Sequence, residues 1–231
     1  NLKENEANTI IDVDKNIGLV AVGQGDGIKN ILKDLGVDIV IEGGQSMNPS
    51  TNDFVEAMDQ LDVNQVILLP NNKNVISAAK QAVSVTDKEA VVVKTKTIPE
   101  AVSSLLVFND QAKLEDLQEA MEDEANFVKT AEITKAVKDS KVEGMEISEG
   151  DIIGLLNGKI EVVGKSYHQV VLKLFKECWE DEDLITIYYG ENVDKEQADK
   201  LRNKLIDKLD LDEIELYNGG QPLYPYIISL E

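Results

Sequence analysis

The sequence of 231 residues holds one histidine and one cysteine. A structural zinc site takes four ligands, mostly Cys and His, and a catalytic one about three, so His168 and Cys178 can supply neither. One thiol cannot form an internal disulfide, which excludes oxidative stapling and makes a reducing cytoplasm the expected setting. Ser-His-Asp catalysis would have to pass through His168. That residue lies in Ser166-Tyr167-His168-Gln169, a capping-box pattern ahead of Val170, Val171, Leu174 and Phe175, and reads as an ordinary first-turn residue. Cys178, beside Trp179, reads as core packing. Basic residues are scarce too: 23 Lys and Arg face 44 Asp and Glu, for a net charge of −21. Nucleic acid and anionic membranes require a basic face, so neither is an expected partner. No apolar run approaches the roughly 20 residues of a membrane span, and no signal peptide opens the chain. No catalytic residue and no metal site can be assigned.

What is present is enough for a core, at 42% hydrophobic residues. Ile17–Val22 is a continuous apolar run of the kind found in strands covered on both faces. It leads into Gly23-Gln24-Gly25-Asp26-Gly27. With Asp26 as N-cap, Ile28, Ile31, Leu32 and Leu35 fall at helical spacing, and Gly36 stands at C′. Val37–Ile41 is the next strand, followed by a helix capped by Ser50 or Thr51 and carrying Phe54, Val55, Met58 and Leu61. A strand at Gln65–Leu69 stops at Pro70 and the polar Asn71-Asn72-Lys73-Asn74. A helix near Val75–Val83, a strand at Ala90–Val93 and a helix from Pro99 to about Phe108 complete a series of βαβ units. Such alternation predicts a parallel sheet with right-handed crossovers.

Beyond Asn109-Asp110 the texture changes. Gln111–Ala125 is an amphipathic helix with an acidic face and Leu114, Leu117 and Met121 on one stripe. Phe127–Lys138 alternates with period two, which places Phe127, Ala131, Ile133 and Val137 on one side of a long strand. Asn157-Gly158 between Ile152–Leu156 and Lys159–Val163 calls for a type I′ hairpin. The Ser166 helix, a strand at Leu184–Tyr189, a helix capped by Asp194 with Gln197, and a strand near Glu213–Tyr217 follow. The expected fold is therefore α/β: a parallel βαβ lobe over residues 17–109, then a mixed, partly antiparallel α/β lobe over 110–231. Residues 1–16, which begin without Met, read as a linker from domains upstream.

Two loops would emerge at the carboxyl edge of the first sheet. Gly23, Gly25 and Gly27 occupy the place where such sheets bind phosphates, but Ile28 stands where the dinucleotide fingerprint needs its third glycine. Asp26 adds a carboxylate there, Glu42 imitates the ribose-binding acid, and the chain carries no Walker A loop. The second loop is Gly43-Gly44-Gln45-Ser46-Met47-Asn48-Pro49-Ser50. Gln24, Asp26, Gln45, Ser46, Asn48 and Ser50 form either a hydrogen-bonding rim for a carboxylate, amide or backbone, or self-capped turns.

Gly23–Ile28, Val40–Phe54 and the terminal Tyr217-Asn218-Gly219-Gly220-Gln221-Pro222-Leu223-Tyr224-Pro225-Tyr226 resemble the C-terminal region of the A component of bacterial fatty acid kinase, also described as dihydroxyacetone-kinase-like. The resemblance covers the chain from about Ile17. It implies a longer, homodimeric parent whose amino-terminal DhaL-like domain holds Mg-ATP, a cofactor not expected in this chain. It implies a DegV-like fold, and as partners the parent's own kinase and central domains together with a fatty acid-binding B subunit. The DegV-type loop that holds a fatty acid carboxylate is matched at Ser46, Pro49 and Ser50. Gln45 replaces its Thr, Met47-Asn48 lengthens it by one residue, and Gly219-Gly220-Gln221-Pro222 lacks the His that B subunits carry near their carboxyl terminus. The expected role is thus a non-catalytic regulatory or docking domain, with fatty acid binding and then nucleotide binding at Gly23–Gly27 as alternatives. The candidate contact loops are Gly23–Gly27, Gly43–Ser50 and Gly219–Gln221.

Overall fold

A computed structural model describes residues 15–44, 47–142, 144–178 and 184–231. Four parallel strands, β1 (Ile17–Gly23), β2 (Ile39–Glu42), β3 (Gln65–Leu69) and β4 (Glu89–Val92), form the first sheet in the order β2-β1-β3-β4. On one face α2 (Thr51–Asp59) and α3 (Ile76–Val85) bury Phe54, Met58, Ala79 and Ala82 against Val20, Val22, Val66 and Leu68. On the other, α1 (Asp26–Asp34), α4 (Ile98–Leu106) and α5 (Leu114–Phe127) bury Ile28, Leu32, Ala101, Leu117 and Met121 against Leu19, Ala21, Ile67 and Leu69. Covering on both faces is why β1 and β3 read as unbroken apolar runs.

The second sheet is built from β5 (Lys129–Lys135), β8 (Ile152–Leu156), β9 (Lys159–Gly164), β10 (Ile185–Tyr189), β11 (Glu215–Asn218) and β12 (Tyr226–Leu230), and β6 (Ser140–Val142) and β7 (Met145–Ile147) make a separate hairpin. Its order is β11-β10-β12-β5-β8-β9, in which only β10 and β11 pair in parallel. Helices α6 (Tyr167–Cys178) and α7 (Lys195–Leu209) pack Val170, Leu174, Leu201 and Leu205 onto Ile133, Ile187 and Ile228. The alternate residues Tyr188 and Ile227 point the other way, into the core beneath α1 and α5. That alternation joins the two layers: one sheet serves two cores.

Several local expectations hold. Asn157 (φ 50°) and Gly158 (φ 78°) both take the positive φ that a type I′ turn requires. Ser50 caps α2 in a reciprocal box with Asp53, and Asp194 does the same for α7 with Gln197. We expect Asp194→Ala to lower stability by about 1 kcal/mol, measured by urea denaturation, because it strips the acceptor from the Gln197 N–H. At α6 the box is shifted. Ser166 Oγ accepts from Gln169 N–H, but the Gln169 side chain takes the N–H of Lys165.

Other expectations are corrected. Asp26 is the first residue of α1 rather than its cap; Gly25, at φ 100°, is the N-cap and offers no side chain. The strand expected from Phe127 to Lys138 is shorter. The helix-forming run Glu122–Asn126 carries α5 through Phe127, which is 77% exposed, and Val137 lies beyond β5 at 86% exposed. Only Ala131 and Ile133 of that stripe enter the core. Gln45, Ser46, Trp179 and residues 1–14, with the readings placed on them, lie outside the described residues, as does the side chain of Cys178.

Candidate functional site

In a sheet ordered β2-β1-β3-β4, successive connections leave β1 in opposite directions, and a crevice opens between the carboxyl ends of β1 and β3. Asn71 is the post at that point. It adopts a left-handed conformation (φ 54°) that Asn tolerates well. Its Nδ2 donates to the Val22 carbonyl at 2.7 Å, its Oδ1 accepts from Thr95 Oγ1 at 2.6 Å, and its N–H donates back to that hydroxyl. One side chain thereby ties the ends of β1, β3 and β4.

The glycine loop faces the chain's own terminal loop. The Ile28 N–H, at the third position of α1, donates to the Gly219 carbonyl at 2.9 Å, so a backbone oxygen from the other layer does the work of the missing cap. A Cβ on Gly27 would lie 1.7 Å from the Asn218 carbonyl oxygen, and one on Gly25 2.5 Å from that of Gly219. The helix N-terminus where a phosphate would dock is filled by backbone of the Asn218–Gly220 segment. Glu42, the would-be ribose acid, pairs instead with Lys29. One Gly-Lys-Ser tripeptide does stand between a strand and a helix, at Gly164-Lys165-Ser166. Lys159 occupies the place of the first Walker glycine, Lys165 Nζ is 2.5 Å from Asp151, and Ser166 caps α6, so the segment departs from the Walker A pattern.

The described residues on either side of the second loop's centre are braced. Gly44 and Met47 exchange both backbone hydrogen bonds, and Pro49 packs over Gly43, where a Cβ would stand 2.6 Å from its ring. The Ser50 hydroxyl donates to Asp53 Oδ2 at 2.7 Å while accepting the Asp53 N–H, so it is spent on the helix cap. The Ser50 backbone N–H, which donates to Asp53 Oδ2 at 2.6 Å, and then the hydroxyl hold the Asp53 carboxyl below the usual carboxylate range. Asn48 is exposed and Asp26 lies outside the crevice. Of the sequence-derived candidates, Gly23, Gln24, Gly43, Gly44 and Gln221 come together as walls of one cavity of about 70 Å³, closed by Pro222, Leu223 and Tyr224. Gln221 braces it, its Nε2 donating to the carbonyls of Tyr188 and Tyr224.

A larger cleft of about 230 Å³ adjoins this cavity and shares Asn72, Lys96, Thr97, Glu132 and Tyr224 with it. Sequence reasoning misses it, because Asn72 and Lys73 register only as a polar strand stop and Glu132 sits inside a strand pattern. Glu132 is 7% exposed, and burial pushes its carboxyl up to about 7, with Lys73 pulling down and Glu100 pushing up. Burial likewise raises Glu100 and the Tyr224 phenol. Thr97 Oγ1 meets Thr130 Oγ1 at 2.8 Å, a second polar tie between the layers. Asn72 Nδ2 and Gln221 Oε1 are buried with no hydrogen-bond partner among the described residues. His168 does not line this cleft, and its pKa is lowered by burial and by Lys204. Among the described residues no three His, Cys, Asp or Glu converge as metal ligands, and no helix is long and apolar enough to cross a membrane.

A family model for the C-terminal region of FakA-like proteins, the A component of fatty acid kinase, matches residues 18–231. The chain belongs to that family. Among curated relatives of this FakA-like region, Protein YloV of Bacillus subtilis is 41% identical over 217 residues, covering 93% of this chain and 39% of YloV. The chain therefore spans about two fifths of the length of that relative. The fold is DegV-like. A DegV family protein from Corynebacterium glutamicum superposes with a TM-score of 0.66 at 15% identity, covering 94% of this chain and 97% of that one. The Streptococcus pneumoniae fatty acid kinase B3 protein loaded with linoleic acid superposes with a TM-score of 0.58 at 10% identity, covering 94% and 99%.

Proposed function

We propose that this FakA-like region is a non-catalytic docking or regulatory domain of a longer, ATP-dependent acyl-phosphate-forming kinase, and that its partner is a DegV-type fatty acid-binding B subunit. The observation that carries the reading is the closed carboxyl edge. Backbone from Asn218–Gly220 fills the face of Gly25 and Gly27, and the cavity behind is about 70 Å³, well under the roughly 300–1,000 Å³ of ordinary ligand pockets. A DegV-like fold with so small a cavity at this edge is suited to contact rather than to lipid carriage. Family membership supports the kinase reading, and the charge of −21 would favour a partner that presents a basic face. We place the Mg-ATP site in domains upstream of this one. Immobilised chain is expected to retain a cognate B subunit in a pull-down and to release it as salt rises, since exposed charges are screened over about 10 Å at 0.1 M. Absence of retention at low salt would count against the reading.

The second reading, a fatty acid-binding module, draws on the unpartnered Gln221 Oε1 and Asn72 Nδ2 beside the cavity. Native mass spectrometry of freshly purified protein distinguishes the two. The docking reading predicts the bare polypeptide mass, and a co-purified acyl chain would favour the module.

A further inference from the structure

The cleft of about 230 Å³ carries an inference separate from docking. It lies where the carboxyl ends of β3 and β4 meet β5 and the β8–β9 turn, and none of the candidate contact loops Gly23–Gly27, Gly43–Ser50 and Gly219–Gln221 contributes to it. Two ammonium groups, Lys73 and Lys96, stand at it on exposed residues. Asn72, 3% exposed, lines it, with its Oδ1 accepting the Asn74 N–H and its Nδ2 buried and unpartnered. A buried N–H without an acceptor is costly to keep and calls for an acceptor atom. Glu100 and Glu132 complete the lining with Tyr224, and Glu100 Oε2 already accepts the Lys96 backbone N–H at 2.6 Å.

The charges define the ligand. Two cations against Glu100, with Glu132 protonated, leave one positive charge in excess; with Glu132 ionised the cleft is neutral. At about 230 Å³ the cleft lies below the roughly 300–1,000 Å³ of ordinary ligand pockets, which favours a compact ion over a nucleotide or an acyl tail. Because ammonium and amide donors stand beside carboxyl oxygens, the best guest offers acceptor oxygens together with a proton of its own. We propose that this cleft binds a small protonated oxyanion, of which hydrogen phosphate is the simplest, through Lys73, Lys96 and Asn72, with Glu132 facing the guest's proton.

The test is an amide NMR titration of the protein with inorganic phosphate, sulfate, acetate and glycerol 1-phosphate. Phosphate is expected to saturate with a Kd on the order of 1 mM and to shift the Asn72 side-chain amide and the Gly158 backbone amide. At pH 8, where Glu132 is ionised and can only accept, sulfate, which brings no proton, and acetate are expected to bind at least about fivefold more weakly than phosphate. Tighter binding of glycerol 1-phosphate than of phosphate would identify an organic monoester as the source of the group, and the reverse would identify the free ion. The pair Lys73→Ala and Lys96→Ala, on exposed positions that leave the cores intact, is expected to weaken phosphate about tenfold or more. Glu132→Gln, which keeps size and a donor, is expected to preserve binding at pH 6. Unsaturable shifts up to tens of millimolar, equal response to sulfate at pH 8, or unaltered affinity in the double lysine variant would overturn the proposal. None of these outcomes bears on B-subunit binding, so the two readings fail separately.

Discussion

Gly27→Val is expected to destabilise the protein by about 3 kcal/mol or more, above the usual range for overpacking. The cost is high because the obstacle is backbone. The added Cβ would lie 1.7 Å from the Asn218 carbonyl oxygen, and Asn218 ends β11 while Gly27 belongs to the first turn of α1. No rotamer change relieves that overlap. Either the Asn218–Gly220 loop withdraws, which costs the Ile28–Gly219 hydrogen bond and uncovers the crevice, or α1 shifts off Ile17, Leu19 and Ala21. Gly36→Ala is the control. Gly36 also takes an unusual backbone conformation (φ 95°), yet nothing lies within 4 Å of its Cβ position, so its cost should stay near 1 kcal/mol of backbone strain. Guanidinium denaturation of the two variants checks the contrast, and equal losses would show that the contact between layers carries little stability.

The second large effect is a pH dependence centred on Glu132. Its carboxyl rises from an ordinary 4.5 to about 7 in the fold, chiefly through burial. Between those values the folded protein keeps a proton that the unfolded chain has released, so this group's contribution is complete below about pH 4.5, is lost as pH rises toward 7, and stays lost above. The full span is on the order of 3 kcal/mol. The groups facing it are Lys73 and Lys96 on the loops after β3 and β4, Glu100 on α4 and Tyr224 ahead of β12. Glu132→Gln, a neutral isostere, should match the parent near pH 4.5 and exceed its stability by up to about 3 kcal/mol at pH 8. Parallel urea midpoints across that range would contradict it.

Much of this fold was legible because its signals are local. The apolar run at Ile17–Val22, the Asn157-Gly158 turn and the Asp194–Gln197 box each act within a few residues, and each formed as expected. The failures share a cause. Asp26 looked like a cap, but the N-cap is Gly25, and the acceptor it lacks is supplied by the carbonyl of Gly219, nearly two hundred residues away, which no local pattern reveals. Phe127 and Val137 matched a strand period by chance, and the helix-forming residues before Phe127 decided the matter. At the site, the glycines were conspicuous because they permit close backbone approach, and the approaching group proved to be the protein's own chain. Glu132, Asn72 and Lys73 carried no motif; only the meeting of two sheets makes them neighbours. The terminal Asn218–Tyr224 segment was singled out by resemblance, and its physical reason is now visible in the seal it forms over α1.

The central claim is that this region docks a B subunit. It is tested most directly by calorimetric titration of a cognate DegV-type fatty acid-binding protein into the longer parent protein, with and without residues 17–231. The account predicts saturable binding that weakens as salt is raised, and a loss of at least about tenfold in affinity when the region is removed. Unchanged affinity after its removal would contradict it.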